Sequence, residues 1–210
     1  MRSADPPNST QNRGSGSGFH GLNSTVRENE VEPIIAADTN LRPCVPGDEA
    51  SLALVGQATF LETFAGILAG TDIVAHCAQA HTAEIYREWL TDPRYALWLV
   101  ESNPGNAPVG FMVVAPPQLP LPDTAGDLEL KRIYLLGKFQ GGGIGKRLVT
   151  TAVAHSIAAG ARRLLLGVYA RNQSAIAFYE RAGFSKLGTR KFNVGGKDYD
   201  DNIMGMPLNT

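Results

Sequence analysis

Cysteine is scarce. Cys44 and Cys77 are the two in 210 residues, and they form no CxxC. One widely spaced pair makes neither a disulfide framework nor a zinc site; it suits two reduced thiols in the cytoplasm. No apolar run approaches the ~20 residues that a membrane span needs. An excess of one charge is lacking too. Nineteen basic against 20 acidic residues leave a net charge of −1, and no electrostatic case for nucleic acid. The four histidines do not cluster along the chain. His20 lies near the start, His76 and His81 flank a helix junction, and His155 lies far beyond, so no metal site is argued. The first 25 residues carry no apolar h-region and are not read as a secretory signal. No internal repeat is present.

What is present is a core-forming chain, 43% hydrophobic. Residues 1–38 are rich in Gly, Ser, Asn and Pro and read as a disordered tail, leaving 39–210 as one domain. Leu41 to Val45 reads as a first strand. The stretch 46–68 reads as one helix, capped by Asp48, with Leu52, Val55, Phe60 and Phe64 at helical spacing. A second helix fits 81–92, with Thr82 as cap and Pro93 beyond its end. "YALWLVES", "NPGNAP" and "VGFMVVA" read as strand, turn, strand. After a Pro-rich loop, "LELKRIYLL" reads as a strand and "IGKRLVTTAVAHSIAAGA" as a helix. "RRLLLGVYA" follows as a strand, "SAIAFYERAG" as a helix stopped by Gly183, and 184–208 as two strands. The order predicts an α/β fold (α+β in its mixed sheet) with a central β-α-β-α unit flanked by further strands and helices.

The informative junction is "KFQGGGIGKRL" at 138–148, where three glycines separate a strand from a helix. Unpaired N–H groups at a helix start favour an anion, and phosphate is the natural one. Walker A fails here: Gln140 stands where its first glycine belongs, and Arg147 where Ser or Thr would bind magnesium. The dinucleotide fingerprint G-x-G-x-x-G fails at Lys146, and the next strand has no acid placed for a ribose. Q-x-x-G-x-G fits in full, with Gln140, Gly143 and Gly145. About 27 residues on comes "NQSAIAFYERAGF", with Asn172, Ala175, Phe178, Tyr179, Gly183 and Phe184 in an N-x-x-A-x-x-F-Y-x-x-x-G-F pattern. The two segments resemble motifs A and B of the GCN5-related N-acetyltransferase (GNAT) superfamily, and the resemblance covers about residues 40–208. "ELKRIYLLGKFQGGGIGKRL" and "ATFLETF" further resemble bacterial polyamine-type acetyltransferases.

The resemblance implies a GNAT fold, a mixed sheet with splayed central strands, and acetyl-CoA as co-substrate. It implies direct acetyl transfer to an amine through a tetrahedral intermediate, and dimers are common in the superfamily. Gln140, Gly141, Gly142, Gly143, Ile144, Gly145 and Lys146 would bind the pyrophosphate, with Arg147 adding charge. Free backbone groups of Ile133, Tyr134 and Leu135 would pair with the pantetheine arm. Tyr179 would protonate the leaving thiolate: a phenol of pKa about 10 can hydrogen-bond a thiolate whose conjugate acid is near 8.5. Asn172 would touch the coenzyme or cap its helix, and Ser174 is the other capping candidate. Glu129, eleven residues before Gln140, is a candidate general base or an exposed strand residue; alternation puts it on one face with Lys131, Ile133 and Leu135.

The acceptor is expected opposite the coenzyme, between the early helices and the last hairpin. There Asp198, Asp200 and Asp201 would attract a cationic amine or polyamine, or else belong to a solvated turn. A small-molecule primary amine is the expected acceptor; a protein N-terminus, a peptide or an aminoacyl group is the alternative. Outside the enzyme class stand a non-catalytic acetyl-CoA-binding module and an interaction protein using the tail. Neither nucleic acid nor membrane is expected as a partner.

Overall fold

The computed structural model describes residues 38–208. All but the last residue of the tail read over 1–38 therefore lies outside the described residues. The elements run β1 (Thr39–Pro43), α1 (Glu49–Phe64), α2 (Gly70–Ala80), α3 (Ala83–Thr91), β2 (Ala96–Ser102), β3 (Ala107–Ala115) and β4 (Leu128–Leu135). Then come α4 (Ile144–Ala158), β5 (Arg163–Tyr169), α5 (Gln173–Arg181), β6 (Ser185–Val194) and β7 (Lys197–Pro207). The strands form one seven-stranded mixed sheet in the order β1-β2-β3-β4-β5-β7-β6. Every neighbouring pair is antiparallel except β4 and β5.

The helix read over 46–68 is shorter than expected. It ends at Phe64, where Gly66 turns the chain with φ 81°, and a separate helix α2 follows. Three helices, not two, join β1 to β2. Helix α2 buries only Ile73, so its apolar spacing carries little signal. Asp48 stands at the start of α1 but does not cap it. Its carboxylate accepts from Nη1 and Nη2 of Arg42 at 2.8 and 2.9 Å, and from the Val45 N–H at 2.8 Å. Thr82 does cap α3, accepting from the Ile85 N–H. The first strand runs two residues earlier than expected. The turn of the last hairpin is Gly195-Gly196, both at positive φ, so "KDYDD" is strand rather than turn.

Two cores sandwich the sheet. On one face Leu148, Val149 and Ala152 of α4 and Tyr179 of α5 pack on Met112, Val114, Leu130, Leu164 and Leu166. On the other, Leu52 and Val55 of α1 and Tyr86 of α3 pack on Leu97, Leu99, Phe111 and Val113. A β-bulge at Lys131 breaks the alternation of β4: Val113 pairs with Arg132, but Val114 pairs with Leu130. The extra residue moves later side chains to the opposite faces. Ile133 and Leu135 therefore join the α4 core, away from Glu129 and Lys131, contrary to the face expected from alternation.

Arg42 ties β1 to both α1 and β2, bonding Asp48 and, at 2.7 Å, Glu101. Hydrogen bonding to Arg42 holds the Asp48 carboxyl below the usual range. The stabilisation is thus present above the unfolded-state pKa of about 4 and lost as pH falls through the depressed folded value. Replacing Arg42 with Met should cost about 2–4 kcal/mol at pH 7, because two largely buried carboxylates, Asp48 and Glu101, lose their shared cation. Urea unfolding from pH 7 to 3 should show the difference between the two proteins shrinking with acidification.

Candidate active site

Strands β4 and β5 pair at only two positions, Leu128 with Leu164 and Glu129 with Leu165, and then part. The bulge bends β4 just where that pairing stops. Strand β4 keeps β3 on its other side as far as Leu135, so from Leu130 onward one backbone edge faces a gap. Backbone groups inside a fold need partners, and an extended ligand that adds a strand supplies them. Ile133, Tyr134 and Leu135 lie on this edge. Tyr134 stacks on Phe111 with ring centroids 5.8 Å apart, on the face away from α4.

The glycine loop closes the wide end of the gap. Gln140 turns back and donates from Nε2 to the Leu135 carbonyl at 2.9 Å, while the Gly137 N–H donates to Glu62 at 2.8 Å. Phe139 is buried beneath the loop. Gly141 and Gly143 both have φ 83°, a region that side chains avoid, and a Cβ on either would meet no protein atom within 4 Å. The space outside the loop is open, and Gly142 is exposed between them. Gly145 serves packing instead: its Cβ would lie 3.4 Å from the Phe178 ring. Gly143 starts α4 with no side-chain cap and no acid in the first turn. The first backbone bond back to the loop is Arg147 N–H to Gly143, so the N–H groups of Ile144, Gly145 and Lys146 have no acceptor in the helix. The Ile144 side chain is buried in the core, while Lys146 and Arg147 are exposed. This strand–loop–helix junction leaves free N–H groups at the α4 start facing open space, the local geometry that favours an anion.

Helix α5 lies across the same gap. Tyr179 packs edge-on against Phe178 and Phe184, with centroids 5.2 and 5.8 Å away. Its hydroxyl makes no hydrogen bond among the described residues, and burial raises its pKa above the ordinary phenol value. The group therefore holds its proton at neutral pH. Asn172 caps α5, its Oδ1 accepting from the Ala175 N–H at 3.1 Å, so only its amide nitrogen is left for a ligand. Asn172 and Ser174 line an open cleft of about 940 Å³ beyond the end of β5.

A second cavity, about 370 Å³, lies under α1 and α2 on the Tyr134 side of the sheet. It reaches the gap at Tyr134, Gly167 and Tyr169. Glu129 lines it and is buried, not exposed; its Oε2 accepts from the Gln118 N–H at 2.7 Å. Asp201 lines it too, paired with Arg190 at 3.1 Å. Asp198 and Asp200 face the larger cleft instead, held by Asn193 and Lys191 respectively.

The sequence reading missed one group in this cavity. His76 and His81, expected apart, meet with ring centroids 5.8 Å apart. Arg132 donates from Nη1 to the Tyr86 hydroxyl at 2.8 Å, and that hydroxyl lies 2.8 Å from His81 Nδ1. Because Arg132 can only donate, the Tyr86 proton goes to Nδ1, and His81 carries its own proton on Nε2. Burial, followed by the Arg132 charge, lowers the His81 pKa to about 2, so the ring is neutral at all ordinary pH. Gly56 of α1 makes room for the group: a Cβ there would lie 2.7 Å from the Tyr86 hydroxyl. The one trace in the sequence is His81 and Tyr86 on either side of the Thr82 cap, a spacing without chemical signature.

A parted parallel strand pair, with free N–H groups at its mouth and a polar cavity behind it, is the splayed sheet that the resemblance to the N-acetyltransferases implied. Residues 63–184 match the Acetyltransferase (GNAT) family, and the chain belongs to that family. An uncharacterised N-acetyltransferase of Mycobacterium tuberculosis is 31% identical over 157 residues, 75% of this chain and 96% of that one. Mycothiol acetyltransferase of Corynebacterium efficiens is 43% identical over 60 residues, 27% of this chain and 20% of that one. Among solved structures, the PaiA N-acetyltransferase of Thermoplasma acidophilum, in complex with coenzyme A, shares the fold. Its TM-score is 0.67 at 21% identity, over 80% of this chain and 98% of that one. The protein is an acetyl-CoA-dependent N-acetyltransferase. The further likeness to polyamine-type enzymes is not among what these relatives show. Among the described residues, no helix is long and apolar enough to cross a membrane.

The positive φ of Gly143 gives a direct test. Gly143→Val forces a β-branched residue into that region, at a cost of about 1–2 kcal/mol. Titration calorimetry should show acetyl-CoA affinity falling about tenfold or more; unchanged affinity would separate the loop from the coenzyme.

Proposed function

We propose that the protein moves the acetyl group of acetyl-CoA directly to a primary amine of a small molecule, through a tetrahedral intermediate. The observation that carries this is the cavity of about 370 Å³ opening onto the gap between β4 and β5. Acetyl-CoA supplies an activated thioester. The glycine loop and the α4 N-terminus hold its pyrophosphate, and the free edge of Ile133–Leu135 extends its arm through the gap. A backbone N–H on that edge meets the developing oxyanion. The amine enters from the cavity, on the far side of the gap from α5.

Tyr179 protonates the leaving thiolate. Its buried phenol remains a donor at neutral pH, and its hydroxyl has no competing partner among the described residues. Glu129 takes the proton from the incoming ammonium. It lies four residues before Ile133, roughly 13 Å along the strand, so the proton passes through water. Its second oxygen makes no hydrogen bond among the described residues and is available for that role.

Of the acceptors weighed from the sequence, a polyamine suits this cavity poorly. Asp198 and Asp200 lie outside it, Asp201 is engaged by Arg190, and Lys131 and Arg132 line the wall. A compact amine fits a cavity of about 370 Å³ better than a chain terminus does.

Thiol release from acetyl-CoA, measured across a panel of small amines, tests the reading. Tyr179→Phe should lower kcat by about 10²-fold while leaving acetyl-CoA affinity unchanged; an unaltered kcat would remove the acid role. Glu129→Gln should make the rate follow the free-amine fraction of the acceptor, rising tenfold per pH unit up to that amine's pKa. A variant keeping the wild-type pH–rate profile would exclude Glu129 as base.

A further inference from the structure

The bulge in β4 has a chemical result. It turns two consecutive residues, Lys131 and Arg132, into the same cavity, which also holds Arg190. Against these three cations stand two carboxylates, Glu129 and Asp201. Asp201 is paired with Arg190. Glu129 accepts a backbone N–H; burial lowers the Lys131 pKa, and the Glu129 charge opposes that shift. His76 and His81 are held toward the neutral form by burial. The cavity therefore carries one more positive charge than its acids balance.

Arg132 is the cation left over. Among the described residues it forms no ion pair, whereas Arg190 in the same cavity does. Its guanidinium lies over Trp89, 4.5 Å from the ring centroid, and 5.4 Å from that of Tyr86. Nη1 is fixed by the buried Tyr86 hydroxyl, leaving the Nε and Nη2 donors without partners among the described residues. Arginine stays charged in any surroundings, and its planar fork matches a carboxylate. Such a group, fixed by aromatic rings at the wall of a cavity and without an ion pair among the described residues, is suited to receive an anion. Arg132 also adjoins Ile133 and Tyr134, whose edge borders the gap. An anion on Arg132 would place an amine a few bonds away near the point of transfer.

We propose that Arg132 anchors a carboxylate of the acceptor, so that the substrate is an amine that also carries a carboxylate, as an amino acid does. This rests on the small-molecule reading above and narrows it. Lys131 sits beside the anchor, its Nζ donating to the Gln118 side chain, and adds to the local potential. The neutral chain from Tyr86 to His81 positions the guanidinium without competing for its charge.

Matched acceptors test this by thiol release: phenylalanine against phenethylamine, methionine against 3-methylthiopropylamine, and spermidine as the polycation. The wild-type protein should prefer the carboxylated member of each pair by about tenfold to hundredfold in kcat/KM, mostly through KM. Arg132→Gln should abolish that preference, bringing the kcat/KM of each carboxylated acceptor down to that of its partner amine, while leaving acetyl-CoA affinity unchanged. Arg132→Lys should restore part of it. Equal kcat/KM within each pair, a preference for spermidine, or a preference surviving Arg132→Gln would overturn the anchor and leave the transferase reading standing. Release with none of the amines would overturn the small-molecule reading instead. Calorimetric titration of the same acids into coenzyme-A-saturated protein would then decide the anchor alone, with Arg132-dependent binding upholding it and none overturning it.

Discussion

The structure depends on the parting of β4 from β5 after two paired residues. A parallel pair in the middle of a seven-stranded sheet would ordinarily stay bonded along its length, because unpaired backbone in a core is costly. Here the bulge at Lys131 bends β4 away, and β3 and β7 hold the outer edges of the two parted strands. The result is a slot with hydrogen-bonding groups along the β4 side. Helices α4 and α5 close one face of it and α1 with α2 the other. Each group given a chemical role therefore lies on the slot, at its mouth or in the cavity behind it.

The two faces of the slot carry opposite kinds of chemistry. Toward α4 and α5 the surroundings are apolar and aromatic, and the polar elements are the α4 N-terminus and the Tyr179 hydroxyl. They suit a bound thioester carrier whose phosphates reach the loop. Toward α1 and α2 the surroundings are charged, with Glu129, Asp201, Lys131, Arg132 and Arg190 around one cavity. A buried set of that kind persists only when its members are paired or when a ligand completes it. Arg190 and Asp201 complete each other. Arg132 has no ion-pair partner among the described residues, and the carboxylate proposed for the acceptor would complete it.

The parts of this arrangement legible in the sequence are those set by local demands. Gly141 and Gly143 stand where the backbone turns left-handed into α4, and residue type alone records that. Thr82 caps α3 because a hydroxyl there meets an orphan N–H. Phe178, Tyr179 and Gly183 were legible through a pattern spanning one helix and its exit. What was hidden arises from contacts distant along the chain. The Lys131 bulge has no composition signal, so alternation set Glu129 apart from Arg132 when both line one cavity. Helix α2 buries a single residue against its neighbours and lies over the last hairpin, with Ile73 packed near Val194. Asp48 has the right type and place for a cap, but Arg42 claims its carboxylate. The His81–Tyr86–Arg132 group needs two helices and a strand to meet, and the spacing of His81 and Tyr86 around Thr82 carries no chemical signature in advance.

Amide hydrogen exchange with and without acetyl-CoA tests the slot most directly. Two segments should slow markedly on addition of the coenzyme: 133–135 on the free edge of β4, and 141–146 at the glycine loop. The β1–β2 pair, bonded along its length on the far side of the sheet, should exchange as before. Unchanged exchange in both segments at saturating acetyl-CoA, or protection confined to other parts of the sheet, would contradict the assignment of the parted strands as the coenzyme site.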